Sequence, residues 1–413
     1  MLQGYFKSIL LIVVFLIGAN TLYAQIEVCE TCPYSSIKKA VTEARSGDTI
    51  HIKKGTYREN KIVIDKPLYL KGYDYPVIDG LNKADILNVF ADGVRISGIK
   101  LINVGSSYTE DYAAIRVSKA KNFILEDLIL EKIFFGIYLE KASDGIVRNN
   151  KILGDAVSEH NSGNGIQLWY SKRITIKENL IQKVRDGIYL EFADHCIIED
   201  NISKDNLRYG LHFMFSNDDA YAQNIFENNG AGVAVMFSKR IEMRANHFRY
   251  NWGTASYGLL LKEINDAEIV ENIFEENTTG INIEGSNRVN YLKNTFKNNG
   301  WAVKVRGACY ENKFLENNFL YNSFDVSYNS KLNNNLFLNN YWSSYTGYDL
   351  DEDGFGDVPY RPVKLFSYIV NRTPETIILM RSLFVDIIDF SEKVSPVFTP
   401  DNLVDKAPLM RKK

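Results

Sequence analysis

The sequence contains few of the residues that usually build metal sites or disulfide scaffolds, with 4 Cys, 5 His and 6 Met among 413 residues. Proline is also scarce, at 9 residues, and 45% of the chain is hydrophobic, which excludes a disordered chain. The 48 Lys and Arg residues nearly balance the 51 Asp and Glu residues, so the net charge is -3. The basic residues also form no stripe along the sequence. A nucleic-acid partner is therefore not expected. What the few Met, His and Cys residues do depends on where they fall.

The first 24 residues have the pattern of a secretory signal peptide. A single basic residue, Lys7, precedes an unbroken apolar run at 9–17, and the segment ends on the small residue Ala24. The run is shorter than the roughly 20 residues that a membrane-spanning helix needs, although an uncleaved anchor is the alternative. We therefore expect export, a mature chain that begins at Gln25, and surroundings in which disulfides form.

A phrase of roughly 22 residues repeats through the centre of the chain. Each copy has a Gly, alternating apolar residues, a polar turn, and an Asn before a further apolar residue. Its glycines are at positions 136, 165, 187, 210, 232, 258, 280 and 300. The strands are short, and no unit can bury its apolar face alone, so the copies must stack. This predicts an all-β fold, a right-handed parallel β-helix of about a dozen coils with Asn at its corners.

The repeat also sets the predicted organisation of the chain. In order, the segments are a signal peptide at 1–24, an N-terminal cap with a short helix at 25–47, the β-helix at 48–345, an acidic loop and linker at 346–372, and a C-terminal helix with an extended tail at 373–413.

Three segments depart from the regular repeat. Two long steps place insertions at 155–163, which contains His160, and at 250–256, which contains Trp252. The segment 374–390 is helix-like, and its apolar residues cover too wide an arc for a free surface helix. We expect this helix to cap the solenoid or to dock on another protein.

The register of the repeat sorts the Met and His residues. Counted from each Gly, positions +1 and +3 are apolar and face the core, so +2 and +4 face outward because side chains alternate along a strand. Met214 and Met236 are at +4 on neighbouring coils, and His212 is at +2. Thioethers and an imidazole suit a soft ion such as Cu(I), and adjacent strands, ~4.8 Å apart, let them converge. The alternative is an apolar patch that packs under Trp252 or binds a partner.

The four cysteines divide into two pairs. Cys196 and Cys309 fall at the inward position +9 and are predicted to be buried free thiols, too far apart for a disulfide. Cys29 and Cys32 form a Cys-x-x-Cys pair. For this pair a local disulfide, a redox pair and a second soft-metal site are all open.

An acidic stretch follows the repeats. Asp349, Asp351 and Asp353 alternate before a glycine, and Asp357 follows, which resembles the start of a calcium-binding loop. The twelfth position, however, is Tyr360 rather than the bidentate Glu of an EF-hand. A structural Ca²⁺ site and a solvated acidic turn both fit this pattern.

Three classes of function fit such a solenoid. A secreted polysaccharide lyase, hydrolase or epimerase acting on uronates would use outward carboxylates, of which Glu140 and Glu191 share position +4. Trp169 lies between them, however, and no compact acid triad with a nearby base emerges. A soft-metal binding protein would use the His and Met residues described above. A structural surface solenoid would use no site.

Several segments carry a more specific signal than the fold. They are Tyr-Gly-Leu-His-Phe-Met-Phe-Ser at 209–216, Gly-Val-Ala-Val-Met-Phe-Ser at 232–238, Tyr-Gly-Leu-Leu-Leu-Lys at 257–262, Gly-Tyr-Asp-Leu-Asp at 347–351 and Val-Pro-Tyr-Arg-Pro-Val at 358–363. Together they resemble the NosD family, the periplasmic β-helix subunits of the copper-handling ABC transporter systems that mature nitrous oxide reductase.

The resemblance implies partners and a cargo. A membrane permease with a cytoplasmic ATPase would anchor this chain at the periplasmic side of the inner membrane. A small copper chaperone would hand over Cu(I), and nitrous oxide reductase would receive it. The resemblance favours His212, Met214 and Met236 as ligands of copper in transit and implies no enzymatic activity. The pair Cys29 and Cys32 is not part of the family pattern.

Overall fold

The computed structural model describes residues 25–329, 334–394 and 403–412. Within them, short parallel strands follow one another in a fixed cycle and form three long sheets of 14, 12 and 13 strands. Each strand pairs with its counterpart one repeat later, as Tyr209–Met214 does with Ala231–Met236. The predicted parallel β-helix is confirmed, with about 14 turns rather than a dozen. The predicted signal peptide and the tail residues 395–402 lie outside the described residues.

The three sheets are named I, II and III. Sheet I contains Gln25–Val28, Thr49–Ile52, Tyr69–Gly72, Arg95–Ser97, Ile124–Glu126, Ile146–Arg148, Thr175–Lys177, Ile197–Glu199, Ala220–Ala222, Glu242–Arg244, Asn265–Val270, Asn287–Leu292, Lys313–Leu315 and Leu336–Leu338. Sheet II contains Ile62–Ile64, Leu87–Val89, Ala113–Ser118, Phe135–Glu140, Ile166–Trp169, Asp186–Glu191, Tyr209–Met214, Ala231–Met236, Leu259–Lys262, Thr279–Glu284, Trp301–Arg306 and Phe324–Tyr328. Sheet III contains Thr56–Arg58, Val77–Asp79, Lys100–Ile102, Ile129–Glu131, Lys151–Leu153, Leu180–Gln182, Ile202–Lys204, Ile225–Glu227, His247–Arg249, Ile273–Glu275, Thr295–Lys297, Asn318–Leu320 and Tyr341–Trp342.

Helices occupy the two ends of the chain and one loop. The α-helices are Ile37–Glu43, Leu365–Arg372 and Leu383–Val394, and the 3-10 helices are Glu159–Asn161 and Pro374–Leu379. Among the described residues, none of these helices combines the length and the apolar character that crossing a membrane requires.

The N-terminal helix covers the open end of the solenoid. It begins after Ser36, whose hydroxyl caps its first turn, and it packs against the strand Ile62–Ile64. The strand Gln25–Val28 precedes this helix and pairs with Thr49–Ile52. Sheet I therefore begins inside the segment for which the sequence predicts only a cap.

Columns of like side chains fill the solenoid. The apolar residues at +1 and +3 of sheet II are buried, as at Ile166 and Leu168. Another inner column is aromatic, and its successive rings have centroids 4.0 to 5.4 Å apart: Phe226, Phe248, Phe274, Phe296, Phe319 and Trp342. Because each coil repeats one strand spacing above the last, a good packing solution in one coil is reused in the next.

A ladder of asparagines closes the corner between sheets I and III. Asn224 shows the pattern, since its Oδ1 accepts from the backbone N and the Nδ2 of Asn201, both at 3.0 Å. The members of the ladder are Asn150, Asn179, Asn201, Asn224, Asn246, Asn272, Asn294, Asn317 and Asn340. The predicted corner role of Asn is confirmed.

The C-terminal region differs from the single helix that the sequence predicts at 374–390. A 3-10 helix ends at Leu379, and a separate α-helix begins at Leu383. Between them Arg381 has a φ of 69°, which no helix accommodates. A further helix, Leu365–Arg372, occupies the segment predicted to be a linker.

The tail, rather than a helix, caps the end of the solenoid. Asp405 accepts hydrogen bonds from the backbone and the side chain of Asn340, both at 3.0 Å, and from Trp342 Nε1 at 3.1 Å. It therefore takes the place of the next Asn in the ladder. The helix Leu365–Arg372 packs instead on the outer side of sheet II, against Trp301 and Phe324.

Candidate metal site

The predicted Met and His residues lie on neighbouring strands of sheet II. Met214 is paired directly with Met236, and His212 with Ala234. Both methionines are partly exposed, whereas Met243 is buried in the core, as its inward register predicts. The prediction that the two thioethers are neighbours is confirmed.

The imidazole of His212 is buried, contrary to the open outward position that its register predicts. Only 6% of His212 is exposed, because the rings of Tyr189 and Tyr209 lie against it with centroids 4.7 and 4.8 Å away. Within the described residues, neither Nδ1 nor Nε2 has a hydrogen-bond partner. Leaving a buried polar atom unpaired costs about 1–3 kcal/mol. Packing alone therefore does not explain a histidine here.

A buried ion pair lies beside this imidazole. Asp186 accepts a hydrogen bond from Arg208 Nε at 2.8 Å on Oδ1 and a second from Nη2 on Oδ2. Its Oδ2 lies 3.7 Å from His212 Nδ1, which is ion-pair contact but too long for a hydrogen bond. Burial raises the pKa of Asp186, but the hydrogen bonds and charge of Arg208, together with the neighbouring His212, outweigh burial and hold this pKa below its usual value. The carboxylate is therefore anionic.

Tyr189 connects the imidazole to one thioether. Its hydroxyl donates to Met214 Sδ over 3.8 Å, while its ring packs edge-on against His212. Burial, and then the nearby charge of Glu191, raise the pKa of Tyr189 to about 12, so the phenol stays protonated. Sequence reasoning missed both Tyr189 and Asp186 as members of the site. The only available signal was their position on the coil before His212.

Four aromatic rings stack along the turn that follows the methionine column. Successive centroids are 4.6, 5.2 and 5.1 Å apart, and the members are Tyr170, Phe192, Phe215 and Phe237. All four have positive φ values between 49° and 55°. Other coils place Lys141, Glu263 or Gly285 at this position. A left-handed backbone costs an L-residue roughly 1–2 kcal/mol, so backbone preference does not select these aromatics.

Trp252 does not cover the methionines. It is 63% exposed and lines a separate groove with Tyr250, Glu276 and Asn298. The interpretation that Met214 and Met236 pack beneath it is therefore wrong. The insertion at 155–163 likewise forms an exposed loop around the 3-10 helix Glu159–Asn161.

The cysteines follow their register. Cys196 and Cys309 are free and buried, as predicted. Cys29 and Cys32 form a disulfide, which leaves neither thiolate to bind a metal. Of the three interpretations of this pair, the structure shows the local disulfide.

The acidic loop brings three of its four predicted ligands together. Carboxylate oxygens of Asp349, Asp351 and Asp353 lie within 4.8 Å of one another. Asp357 instead accepts a hydrogen bond from the backbone N of Leu350 at 2.8 Å. The calcium site remains a prediction, with Asp357 outside the cluster.

The outward carboxylates do not form an acid pair. Glu140, Trp169 and Glu191 follow one another in register, so the indole separates the two carboxylates as expected. Glu140 accepts a hydrogen bond from Ser118 at 3.2 Å.

The region that contains the candidate metal site is similar to known proteins. A family model described as "Periplasmic copper-binding protein (NosD)" matches residues 151–349, which include the whole candidate site. A Pseudomonas aeruginosa protein named "Probable ABC transporter binding protein NosD" is 28% identical over 86% of this chain and 87% of its own length. Its namesake from Stutzerimonas stutzeri is 26% identical over 86% and 85%. These matches support the predicted resemblance to the NosD family.

Solved structures outside the NosD family share the solenoid. The Yersinia enterocolitica family 28 exopolygalacturonase matches with a TM-score of 0.59 at 10% identity, over 77% of this chain and 78% of that one. The A-module of the Azotobacter vinelandii mannuronan C-5 epimerase AlgE6 matches with a TM-score of 0.50 at 12% identity, over 72% and 96%. At such low identity these matches show the fold alone.

Proposed function

We propose that this chain is the copper-binding subunit of an ABC transporter complex in the periplasm, and that it accepts Cu(I) from a small chaperone and delivers it to nitrous oxide reductase. The observation that carries the proposal is the pair Met214 and Met236 beside His212, a buried imidazole without hydrogen bonds in the described part of the chain. A family described as periplasmic and copper-binding supports the same metal.

The chemistry of the donors favours Cu(I) over the commoner divalent ions. Two thioethers and one imidazole are soft or intermediate, uncharged ligands, and they suit a soft monovalent ion. Magnesium and calcium require oxygen ligands instead. The charge of Asp186 is already matched by Arg208, so the ligand set carries little net charge. A weakly charged site also suits an ion in transit.

A Cu(I) competition titration tests the proposal. In the double variant Met214→Leu plus Met236→Leu we expect affinity against bicinchoninate to fall about 100-fold, on the order of 3 kcal/mol. Met380→Leu is the control, because this methionine is exposed and belongs to the C-terminal segment rather than to a strand of sheet II. Unchanged affinity in the double variant, or an equal loss in the control, would contradict the proposal.

The membrane association belongs to the same proposal. Residues 1–24 serve as the signal peptide, and a permease with a cytoplasmic ATPase holds the mature chain at the inner membrane. Strongly exposed apolar residues support docking of the C-terminal segment, with Ile378 at 86%, Leu383 at 74% and Phe390 at 68%. Changing these three to Ser should abolish co-purification with the permease while leaving the cap at Asp405 intact. Retained co-purification would remove the docking role.

The chain itself catalyses no reaction in this proposal. Support comes from Trp169 between the two outward carboxylates and from relatives that are named binding proteins. Turnover of a uronate polysaccharide that is lost in Glu191→Gln would contradict it.

The acidic loop is proposed to bind Ca²⁺ for structure, so chelation should lower the melting temperature of the wild type and not of Asp351→Asn.

A further inference from the structure

The two nitrogens of the His212 imidazole have unequal surroundings. Nδ1 lies 3.7 Å from the Oδ2 atom of Asp186. Nε2 is shielded from solvent and has no hydrogen-bond partner among the residues that the structure describes. A neutral imidazole carries its proton on one nitrogen only, so these surroundings decide which nitrogen is free to bind a metal.

The carboxylate beside Nδ1 is held rigidly. Asp186 is fully buried, with 0% exposure. Arg208 Nε donates to it at 2.8 Å, and the backbone N of Tyr209 donates at 3.3 Å. It therefore has no freedom to turn away from the imidazole toward solvent.

Asp186 is also unusual in its column because it is a fully buried charge, whereas Asp85, at the equivalent position before Leu87, is only partly buried and pairs with Arg116. Seven other strands of sheet II carry uncharged residues at the equivalent position: Ala113, Phe135, Tyr209, Ala231, Thr279, Trp301 and Phe324. A buried ion pair is often no more stabilising than apolar residues of similar volume. Solenoid stability therefore does not explain why the carboxylate of the coil that adjoins His212 is fully buried.

We propose that Asp186 is a positioning residue that fixes His212 in the tautomer with the proton on Nδ1 and leaves Nε2 as the donor to Cu(I). At 3.7 Å the anion acts through its charge rather than through a hydrogen bond, and it favours a proton over a lone pair on Nδ1. Metal-binding histidines are commonly oriented in this way by a carboxylate on their other nitrogen. The inference rests on the proposed copper function of His212.

The test compares two Asp–Arg pairs. Asp186→Asn removes the charge beside His212, whereas Asp144→Asn breaks a similar pair with Arg173, at 2.6 and 2.8 Å, on the surface. The tautomer of His212 is read from long-range ¹⁵N–¹H correlation spectra of the copper-free protein. Cu(I) affinity is read by competition with bicinchoninate. We expect the Nδ1–H tautomer in the wild type and in Asp144→Asn. In Asp186→Asn we expect a mixture of tautomers and an affinity lower by about 10-fold or more.

A second variant keeps the test valid if Asp186→Asn misfolds around an unpaired Arg208. The double variant Asp186→Asn plus Arg208→Gln removes both charges and is expected to show the same mixed tautomer and weakened affinity. Wild-type tautomer and wild-type affinity in a folded variant would overturn the inference. If the wild type binds no Cu(I), the proposed function fails, and the tautomer measurement still decides the role of Asp186.

Discussion

Two parts of the same solenoid are built in opposite ways. At the corner between sheets I and III, coil after coil repeats one Asn, and its side chain is fully hydrogen-bonded, as at Asn224. On the outer face of sheet II the paired residues change from coil to coil, from Tyr189 to His212 to Ala234. Stacking explains the uniform column completely. It leaves the changing column unexplained, and that is where a binding site is to be sought.

The largest expected effect comes from breaking the uniform column. Asn224→Ala removes four hydrogen bonds in the buried corner and leaves their partners unpaired. Because each buried unpaired group costs about 1–3 kcal/mol, we expect the free energy of unfolding to fall by roughly 3 kcal/mol or more. Urea unfolding followed by circular dichroism measures it. Asn228→Ala is the control, since Asn228 is exposed and its side-chain amide donates a hydrogen bond to Asp205 at 2.7 Å. Equal losses in the two variants would contradict this account of the ladder.

An intermediate effect is expected from an ionisable residue that interrupts an inner column. Asp219 stands at +9, where neighbouring coils have Cys196 and Ile241, and burial raises the pKa of Asp219 to about 8. Between about pH 4 and that value the folded chain holds a proton that the unfolded chain has lost, so stability should fall as pH rises. Urea midpoints at pH 5, 6.5 and 8 should show this decline in the wild type and a flatter profile in Asp219→Asn.

The neighbouring Asp218 supplies the control for that profile. Its hydrogen bonds with Arg240 lower the pKa of Asp218, so its contribution is lost only on acidification below this window. Asp218→Asn should therefore keep the wild-type slope between pH 5 and 8. An Asp219→Asn profile as steep as the wild type would show that the buried carboxyl does not titrate as inferred.

The smallest effect is expected in the exposed aromatic stack. Phe215→Gly loses ring stacking worth about 0.5–1.5 kcal/mol and relieves a left-handed backbone that costs roughly 1–2 kcal/mol. The melting temperature should therefore change little. Phe248→Ala in the inner stack is the contrast, because a buried Phe costs about 3–5 kcal/mol when truncated. Similar losses in the two variants would make the outer stack a structural element like the inner one.

What can be predicted from the sequence also differs between the uniform columns and the changing column. The apolar alternation and the corner Asn predict the fold, and the register alone places Met214 beside Met236 and buries Cys196. The contact between Asp186 and His212 is not predictable, because it joins side chains of different coils and Asp186, just before Gly187, lies outside the alternation that the repeat defines. The cap at Asp405 is not predictable either, because its hydrogen-bond partner Asn340 lies 65 positions earlier in the chain.

Copper K-edge X-ray absorption of the Cu(I)-loaded mature protein tests the central claim most directly, because it identifies the ligand atoms themselves. We predict two sulfur ligands and one nitrogen ligand in the wild type. The sulfur scattering should vanish in Met214→Leu plus Met236→Leu, and the imidazole signal should vanish in His212→Asn. A first shell of oxygen and nitrogen only, or sulfur scattering that survives the loss of both methionines, would contradict the assignment of copper to this face of the solenoid.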